Sequence, residues 1–374
     1  MSSTPVFSLR WGILGAGKIS SSFVKDVLLD PATRDVDDVC HKVSAIGSRD
    51  LNKAQKFIDE FVTGVARSDV KAYGNYEQVV TAEDVDAIYI GTPHTHHYDC
   101  TVLAFNAGKH VLLEKPATVN AAELRSLINI AKEKNVFFME AMWTRFLPVT
   151  QAIKEVITSG ELGELKILHA DLSGDFDIEN ISASHRILDP LLGGGALLDL
   201  GPYPLVWAIL ALYEDPRNGK AAPSAVSGSM VKTKLTGVDS STAFVLDFQH
   251  LDAQAILSCS ITIPQPAEGV VMRFRKGTIT TTGPIFRPTG FVVEVTKKPG
   301  SDQIITERRR NFTESFAGGG WHFQADEVAR CIRDGKTESE IWGLDKTLLQ
   351  MEIFDQVRKQ GKYTLPPGVE KVTD

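Results

Sequence analysis

The sequence is poor in cysteine, in net positive charge and in long apolar runs, and each shortage removes a class of function. Its four cysteines, Cys40, Cys100, Cys259 and Cys331, lie far apart with no C-x-x-C pair, so neither a disulfide framework nor a cysteine metal site is encoded. They read as buried thiols in a reducing compartment, which points to the cytoplasm. Lysine and arginine number 40 against 47 aspartates and glutamates, a formal net charge of −7, so no broad positive field exists to collect nucleic acid or an anionic membrane. The longest uncharged apolar run, Leu205 to Tyr213, has nine residues, about half of the ~20 that a membrane-spanning helix needs. The opening MSSTPVFSLR carries one basic residue and no apolar core, so no secretory leader is expected. No internal repeat or low-complexity tract is present. Small molecules and further copies of the chain are left as partners.

What is present is a long alternation of strands and helices. The 374 residues exceed the ~250 to 300 at which one core stops growing, so two domains are expected. Apolar strands are read at residues 9–14, Val43 to Gly47, Val85 to Ile90, His110 to Leu113 and Val136 to Met139. Helical spacing lies between them at Ile19 to Leu29, Leu51 to Phe61, Tyr98 to Asn106 and Ala121 to Lys134. Strands that alternate with such helices imply a doubly wound parallel sheet. After residue 145 the pattern changes. A helix at Val149 to Ser159 and a strand at Leu165 to Leu172 precede a glycine-rich segment and an apolar helix at Leu205 to Leu212. From Ala225 to Thr306 strand-like runs follow one another without helices, as in an antiparallel sheet. Helical periodicity returns at Phe323 to Asp334 and Ile341 to Gln360. The expected division is 1–145, an α/β Rossmann domain, and 146–374, an α+β domain whose last helices have the option of packing back on the first.

Five stretches carry chemistry. In Trp11 to Ser20, WGILGAGKIS, Gly15 and Gly17 take the first two places of G-x-G-x-x-G and Ser20 the third. The turn would aim the unpaired N–H groups of a helix beginning at Lys18 and Ile19 at a phosphate; an ordinary strand-to-helix turn is the other reading. At the end of the second strand stand Ser48 and Arg49, where an acidic side chain would suit a ribose hydroxyl and arginine suits a 2′-phosphate. NADP is therefore expected, with Asp50 read as a helix cap; the other option has Asp50 turned back to the ribose. The loop Thr92-Pro93-His94-Thr95-His96-His97 lacks carboxylate or cysteine at ligand spacing, so its histidines are assigned to cofactor or substrate and no metal is expected. Glu114-Lys115-Pro116 follows an apolar strand directly, which would hold Lys115 at the cofactor edge of the sheet, where it could move a proton. In GGGALLDLGPY, Gly193 to Tyr203, Asp199 and Tyr203 share a helix face if the segment is helical, with Pro202 a point of kinking or restart. A glycine hinge with a capping aspartate and a half-buried tyrosine is the alternative.

Together these motifs resemble the glucose-fructose oxidoreductase and inositol dehydrogenase (Gfo/Idh/MocA) family over nearly the whole chain. Within it, MWTRFLP at Met142 to Pro148 and Tyr203 are similar to the branch of dimeric dihydrodiol dehydrogenases and NADP-dependent D-xylose dehydrogenases. The resemblance implies a Rossmann domain followed by an open-faced, mainly antiparallel sheet that serves substrate binding and dimer contact. It implies Lys115 beside nicotinamide and substrate, Tyr203 as acid/base and Asp199 as an orienting group; either Lys115 or Tyr203 could move the proton. It places Gly15, Gly17, Lys18, Ile19, Ser48, Arg49, Thr92, Pro93, His97, Glu114 and Lys115 at the cofactor. Around the substrate it leaves His94, Trp143, Arg145, Phe146, Phe176, Asp199 and Tyr203. The implied reaction is NADP-dependent oxidation of an aldopyranose at C1, D-xylose first. A trans-dihydrodiol dehydrogenase is the second reading, and a non-catalytic NADP-binding regulator the one from another class. The implied assembly is a cytoplasmic homodimer.

Overall fold

In a computed structural model, residues 6–63, 65–301, 303–313 and 315–373 are described; the first five residues of the stretch weighed as a leader lie outside them. The first half of the chain forms β1 (Phe7–Leu14), α1 (Lys18–Val27), β2 (Val39–Gly47), α2 (Leu51–Phe61), β3 (Lys71–Tyr73) and α3 (Tyr76–Val80). It continues with β4 (Ala87–Ile90), α4 (His97–Asn106), β5 (His110–Leu113), α5 (Ala121–Lys134) and β6 (Phe138–Glu140). The six strands pair in parallel in the order β3-β2-β1-β4-β5-β6.

The helix starts are written locally. Asp50, Asn75 and Asn120 each accept a backbone N–H of the helix they precede, and Asn135, left-handed at φ 52°, ends α5. Central strands are apolar on both faces, with Trp11, Ile13, Ile88 and Tyr89 fully buried. Phe23 of α1 stacks on Tyr89 at 3.9 Å between centroids. The short β3 and α3 have no periodic signal, because three residues on the edge of β2 are recruited by pairing alone.

The second half adds α6 (Pro148–Ser159), β7 (Leu165–Ser173), α7 (Ala196–Leu200), α8 (Pro202–Ala208), β8 (Ala225–Lys232), β9 (Asp239–Phe248) and β10 (Ala253–Ser260). Then come β11 (Val270–Phe274), β12 (Gly277–Thr282), β13 (Gly290–Thr296), β14 (Ile304–Asn311), α9 (Trp321–Arg333) and α10 (Leu344–Gln360). Eight strands pair in the order β14-β13-β12-β11-β7-β10-β9-β8. Every contact is antiparallel except β7 with β10. Inward residues of β9 and β10, such as Phe244, Leu246, Ala255 and Leu257, are buried under α7 and α8, while Ala243 and Ile256 alternate outward.

Two compact units result: Met1–Trp143 with Glu314–Leu348 and Lys371–Asp374, and Thr144–Thr313 with Leu349–Glu370. The division differs from 1–145 and 146–374 because α9 belongs to the first unit. The Asp26 carboxylate of α1 accepts N–H groups from Gly319, Gly320 and Trp321, and Arg34 grips Asp326 of α9 through two 2.8 Å bonds. The segment Pro190–Tyr213 also corrects the nine-residue count. Its 24 residues, a run of helical turns interrupted at Gly193 to Gly195, are long and apolar enough by length and composition to cross a bilayer, yet their most apolar stretch is wholly buried inside the fold, as befits a core segment. Its last turn, Ile209–Tyr213, is a π-helix rather than α.

Candidate active site

The glycine turn closes β1 with a division of labour between its two glycines. Gly15 has φ 99°, and a Cβ there would stand 2.8 Å from the carbonyl oxygen of Gly91, so only glycine fits between the ends of β1 and β4. Gly17 has nothing within 4 Å of such an atom; it is the N-cap of α1 and offers no side-chain cap to the first turn, which also lacks an acidic residue. The N–H groups of that turn are thus left for an anion. A Cβ at Gly91 would collide with Ser20 Oγ, so Ser20 performs the close helix–strand packing of the third motif position. Lys18 is exposed and Ile19 half-buried on the same turn.

At the end of β2, Ser48 is buried, its N–H donating to the carbonyl of Tyr73. Asp50 caps α2 through the N–H of Asn52 at 2.9 Å. Arg49 is exposed and forms no hydrogen bond or ion pair among the described residues. The alternative in which Asp50 turns back is therefore the weaker one, since its carboxylate is engaged.

The loops after β4 and β5 are built around Lys115. Thr92 is buried, Pro93 and His94 are half-buried, and the His94 and His97 rings meet edge to face at 5.8 Å. His97 is completely buried, with Nδ1 2.8 Å from the Pro116 carbonyl oxygen and Nε2 3.0 Å from that of Thr92. Burial pushes its imidazole down to about 4, against the pull of the two carbonyls. Both ring nitrogens face backbone carbonyls, and the neutral ring donates to one of them, so it lies between the two loops. Glu114 is also engaged within the protein. Its Oε1 accepts from the Tyr89 hydroxyl at 2.6 Å and its Oε2 from the Lys115 N–H at 3.2 Å, with 5% of the residue exposed. Burial drives this carboxyl up to about 7, with Tyr89 and Lys115 opposing and Glu140 reinforcing. Lys115 itself is half-buried and precedes a cis peptide bond to Pro116. Trp143 is buried and stacks on Trp321 at 4.3 Å and 7°.

In the second unit the triple glycine has a physical cause at each place. Gly193 and Gly195 have φ 69° and 114°. A Cβ at Gly194 would stand 2.8 Å from the Ile187 carbonyl oxygen, and one at Gly195 would strike Asp239 Oδ1. Asp239, at the start of β9, accepts the Leu197 N–H at 2.7 Å and so caps α7 from outside the helix; burial raises its carboxyl to about 6. Asp199 on α7 is buried and paired with Arg186 at 3.0 Å. Gly201 keeps helical angles, φ −54° and ψ −31°, and Pro202 restarts the helix as α8. Tyr203 is 9% exposed, its ring 5.6 Å from that of Phe286.

Three expected substrate residues differ in kind from these. Arg145 is 4% exposed and bound to both carboxylate oxygens of Glu214, at 3.0 and 2.7 Å, beside Lys154. That ion pair uses Nη2 and ties the residue to the carboxylate that Lys154 of α6 also binds, while its buried Nε and Nη1 make no hydrogen bond among the described residues. Phe146 is buried; Phe176 is half-buried in the loop after β7, against Gly174. Asp239 and Glu140 escaped the sequence reading, because a carboxylate that binds the backbone of a distant segment leaves no local spacing.

A model of the oxidoreductase family with an NAD-binding Rossmann fold, Gfo/Idh/MocA, matches residues 9–142, and one of the Gfo/Idh/MocA C-terminal domain matches residues 150–280. The D-xylose 1-dehydrogenase (NADP+) of Hypocrea jecorina is 38% identical over 98% of this chain and 95% of its own. The trans-1,2-dihydrobenzene-1,2-diol dehydrogenase of Bos taurus is 34% identical over 96% of this chain and 98% of its own. A crystal structure of a 3-ketoreductase from Actinomadura kijaniata with NADP shares the fold, with a TM-score of 0.75 and 20% identity over 94% of this chain and 98% of that one. By both family models and by identity along almost its whole length, the chain belongs to the Gfo/Idh/MocA oxidoreductase family.

Proposed function

We propose that the chain is an NADP-dependent dehydrogenase that oxidises C1 of an aldopyranose, D-xylose to D-xylono-1,5-lactone first. The observation that carries this reading is the 38% identity over 98% of the chain to an NADP-dependent D-xylose 1-dehydrogenase. The residues present fit the cofactor. The uncapped first turn of α1 beyond the open Gly17 suits a pyrophosphate, and the exposed Arg49 suits a 2′-phosphate.

When bound, NADP+ supplies the acceptor for the hydride that leaves C1. The chain's own task is the hydroxyl proton. We assign its removal to Lys115 or Tyr203, with Asp199 orienting the tyrosine side. We assign to His97 and Glu114 the holding of the lysine loop, on their bonds to Pro116 and Lys115. Replacing Lys115 by alanine is expected to lower kcat on the order of 10²- to 10⁴-fold while NADPH still binds and quenches tryptophan fluorescence. Near-normal turnover would remove Lys115 from the chemistry.

The second reading, a trans-dihydrodiol dehydrogenase, is supported by the 34% identity over 96% of the chain to the trans-1,2-dihydrobenzene-1,2-diol dehydrogenase of Bos taurus. An NADP-coupled screen of aldoses and arene diols separates the two; activity on diols alone reverses the order. Binding of NADPH with no turnover across the panel would instead favour a regulator. The proposal includes a cytoplasmic homodimer, supported by four unpaired thiols and by the exposed Val231 and Ile256 on the open sheet face.

A further inference from the structure

The three residues from Lys115 to Ala117 are gripped by three buried side chains, Glu114 just past β5, His97 of α4 and Glu140 of β6. The Lys115 N–H donates to Glu114 Oε2 at 3.2 Å, His97 Nδ1 meets the Pro116 carbonyl oxygen at 2.8 Å, and the Ala117 N–H donates to Glu140 Oε1 at 3.0 Å. Glu140, the last residue of β6, is fully buried, and its second oxygen accepts the indole N–H of Trp342 at 3.0 Å. Trp342 is also fully buried, and its own N–H donates to Ser339 Oγ, which in turn donates to Glu327 of α9 at 2.6 Å. The next peptide past Glu140 is fixed as well, the Ala141 N–H donating to the Leu113 carbonyl at 2.7 Å.

A carboxyl sealed from water is an expensive way to satisfy one backbone and one indole N–H, and such groups add little to stability compared with an apolar replacement. What it supplies is geometry. Both oxygens accept from rigid donors, so the peptide two residues beyond the lysine cannot swing without breaking a buried bond.

We propose that Glu140 is a positioning residue for Lys115, coupling the lysine loop through Trp342 to the segment that follows α9. This rests on the reading of Lys115 as a participant in proton transfer. Hydride and proton transfer are sensitive to placement on the 1 Å scale, so a loosened lysine loop would show in kcat rather than in cofactor binding.

The test uses the full-length protein with NADP+ and D-xylose. Glu140→Gln turns an acceptor into an NH2 group facing an N–H, and is expected to lower kcat on the order of 10²-fold with the KM for NADP within about twofold. Trp342→Phe keeps the ring and removes one donor, and is expected to give a smaller loss in the same direction. A second readout needs no turnover. Lysines are reductively methylated with ¹³C, the Lys115 signal is assigned by its absence in Lys115→Arg, and its shift and titration midpoint are expected to move in both variants. Unchanged kcat, or a fall in kcat that tracks only the loss of folded protein while the Lys115 signal stays put, overturns the proposal. If the wild type turns over none of the aldoses or diols, the reading of the reaction fails and the Lys115 signal alone decides the positioning. If Glu140→Gln does not fold, Trp342→Phe decides by the same two readouts.

Discussion

Arg49 and Glu114 show how one side chain's surroundings set its task. Arg49 lies at the C-terminal end of β2 with its guanidinium in solvent and the neighbouring Asp50 committed to capping α2. Charge-assisted hydrogen bonds contribute about 1.5–3 kcal/mol each. Arg49→Ala is therefore expected to lower kcat/KM for NADP roughly 10- to 100-fold while leaving NAD almost unaffected; wild-type values equal for the two cofactors would remove the role. Glu114 is governed by burial. Its carboxyl is raised to about 7 in the folded protein, against an ordinary glutamate near ~4.3 when unfolded. The folded state therefore holds the proton to higher pH, and the stability this group contributes is full below about pH 4 and is lost as pH rises through about 7. Urea unfolding between pH 5 and 8 should show a smaller decline in Glu114→Gln than in the wild type, and parallel curves would contradict the assignment.

The anchoring of α9 is the clearest example at the level of elements. Asp326, on the buried side of that helix, is bound by Arg34 Nε and Nη2 and by His41 Nε2 at 2.9 Å. Trp11 donates its indole N–H to His41 Nδ1 at 3.1 Å, and since indole can only donate, the ring is neutral with its proton on Nε2. Burial pushes the His41 imidazole down, which agrees with that tautomer. For Asp326 burial pulls upward, but Arg34 and His41 overcome it and hold the carboxylate ionised. Asp326→Ala would leave the Arg34 guanidinium, whose side chain has no exposed surface, without a counter-charge. A loss of about 3–5 kcal/mol in urea unfolding is expected, and a loss within the error of the method would show that α9 is held by its apolar contacts alone.

For the molecule as a whole, the eight-stranded sheet poses a question of coverage. Its inner face lies under α7 and α8, whereas Val245, Ile256, His169, Val271, Thr280 and Val292 follow one another across six strands on the outer face. Ile256 is 39% exposed in the single chain, and a row of this kind, apolar except at His169 and Thr280, suits a contact surface. Sedimentation at micromolar concentration should give a dimer for the wild type and a monomer for Ile256→Asp. A monomeric wild type would reject the assembly.

Much of the first unit was legible in the sequence because its information is local. The G-x-G turn, the caps Asp50 and Asn120 and the period of α5 lie within a few residues of what they control, and Arg49 and Lys115 could be placed because each directly follows an apolar strand. The same locality identified Gly193 to Gly195 as special. The reasons stayed hidden where they lie in contacts: the Ile187 carbonyl beside Gly194, and beside Gly195 the carboxylate of Asp239, 42 positions beyond Leu197. Direction was hidden too: strand spacing says where His97, Glu114 and Arg145 sit, but only packing turned them toward Pro116, Tyr89 and Glu214. The order of residues alone determined most of the strands, the short stretches that carry Arg49, Lys115 and Tyr203, and a glycine turn of the dinucleotide-binding pattern after the first strand. Tertiary structure decided which polar side chains serve the backbone and which remain for a ligand, because a hydrogen bond between distant segments depends on burial and approach that no local pattern encodes.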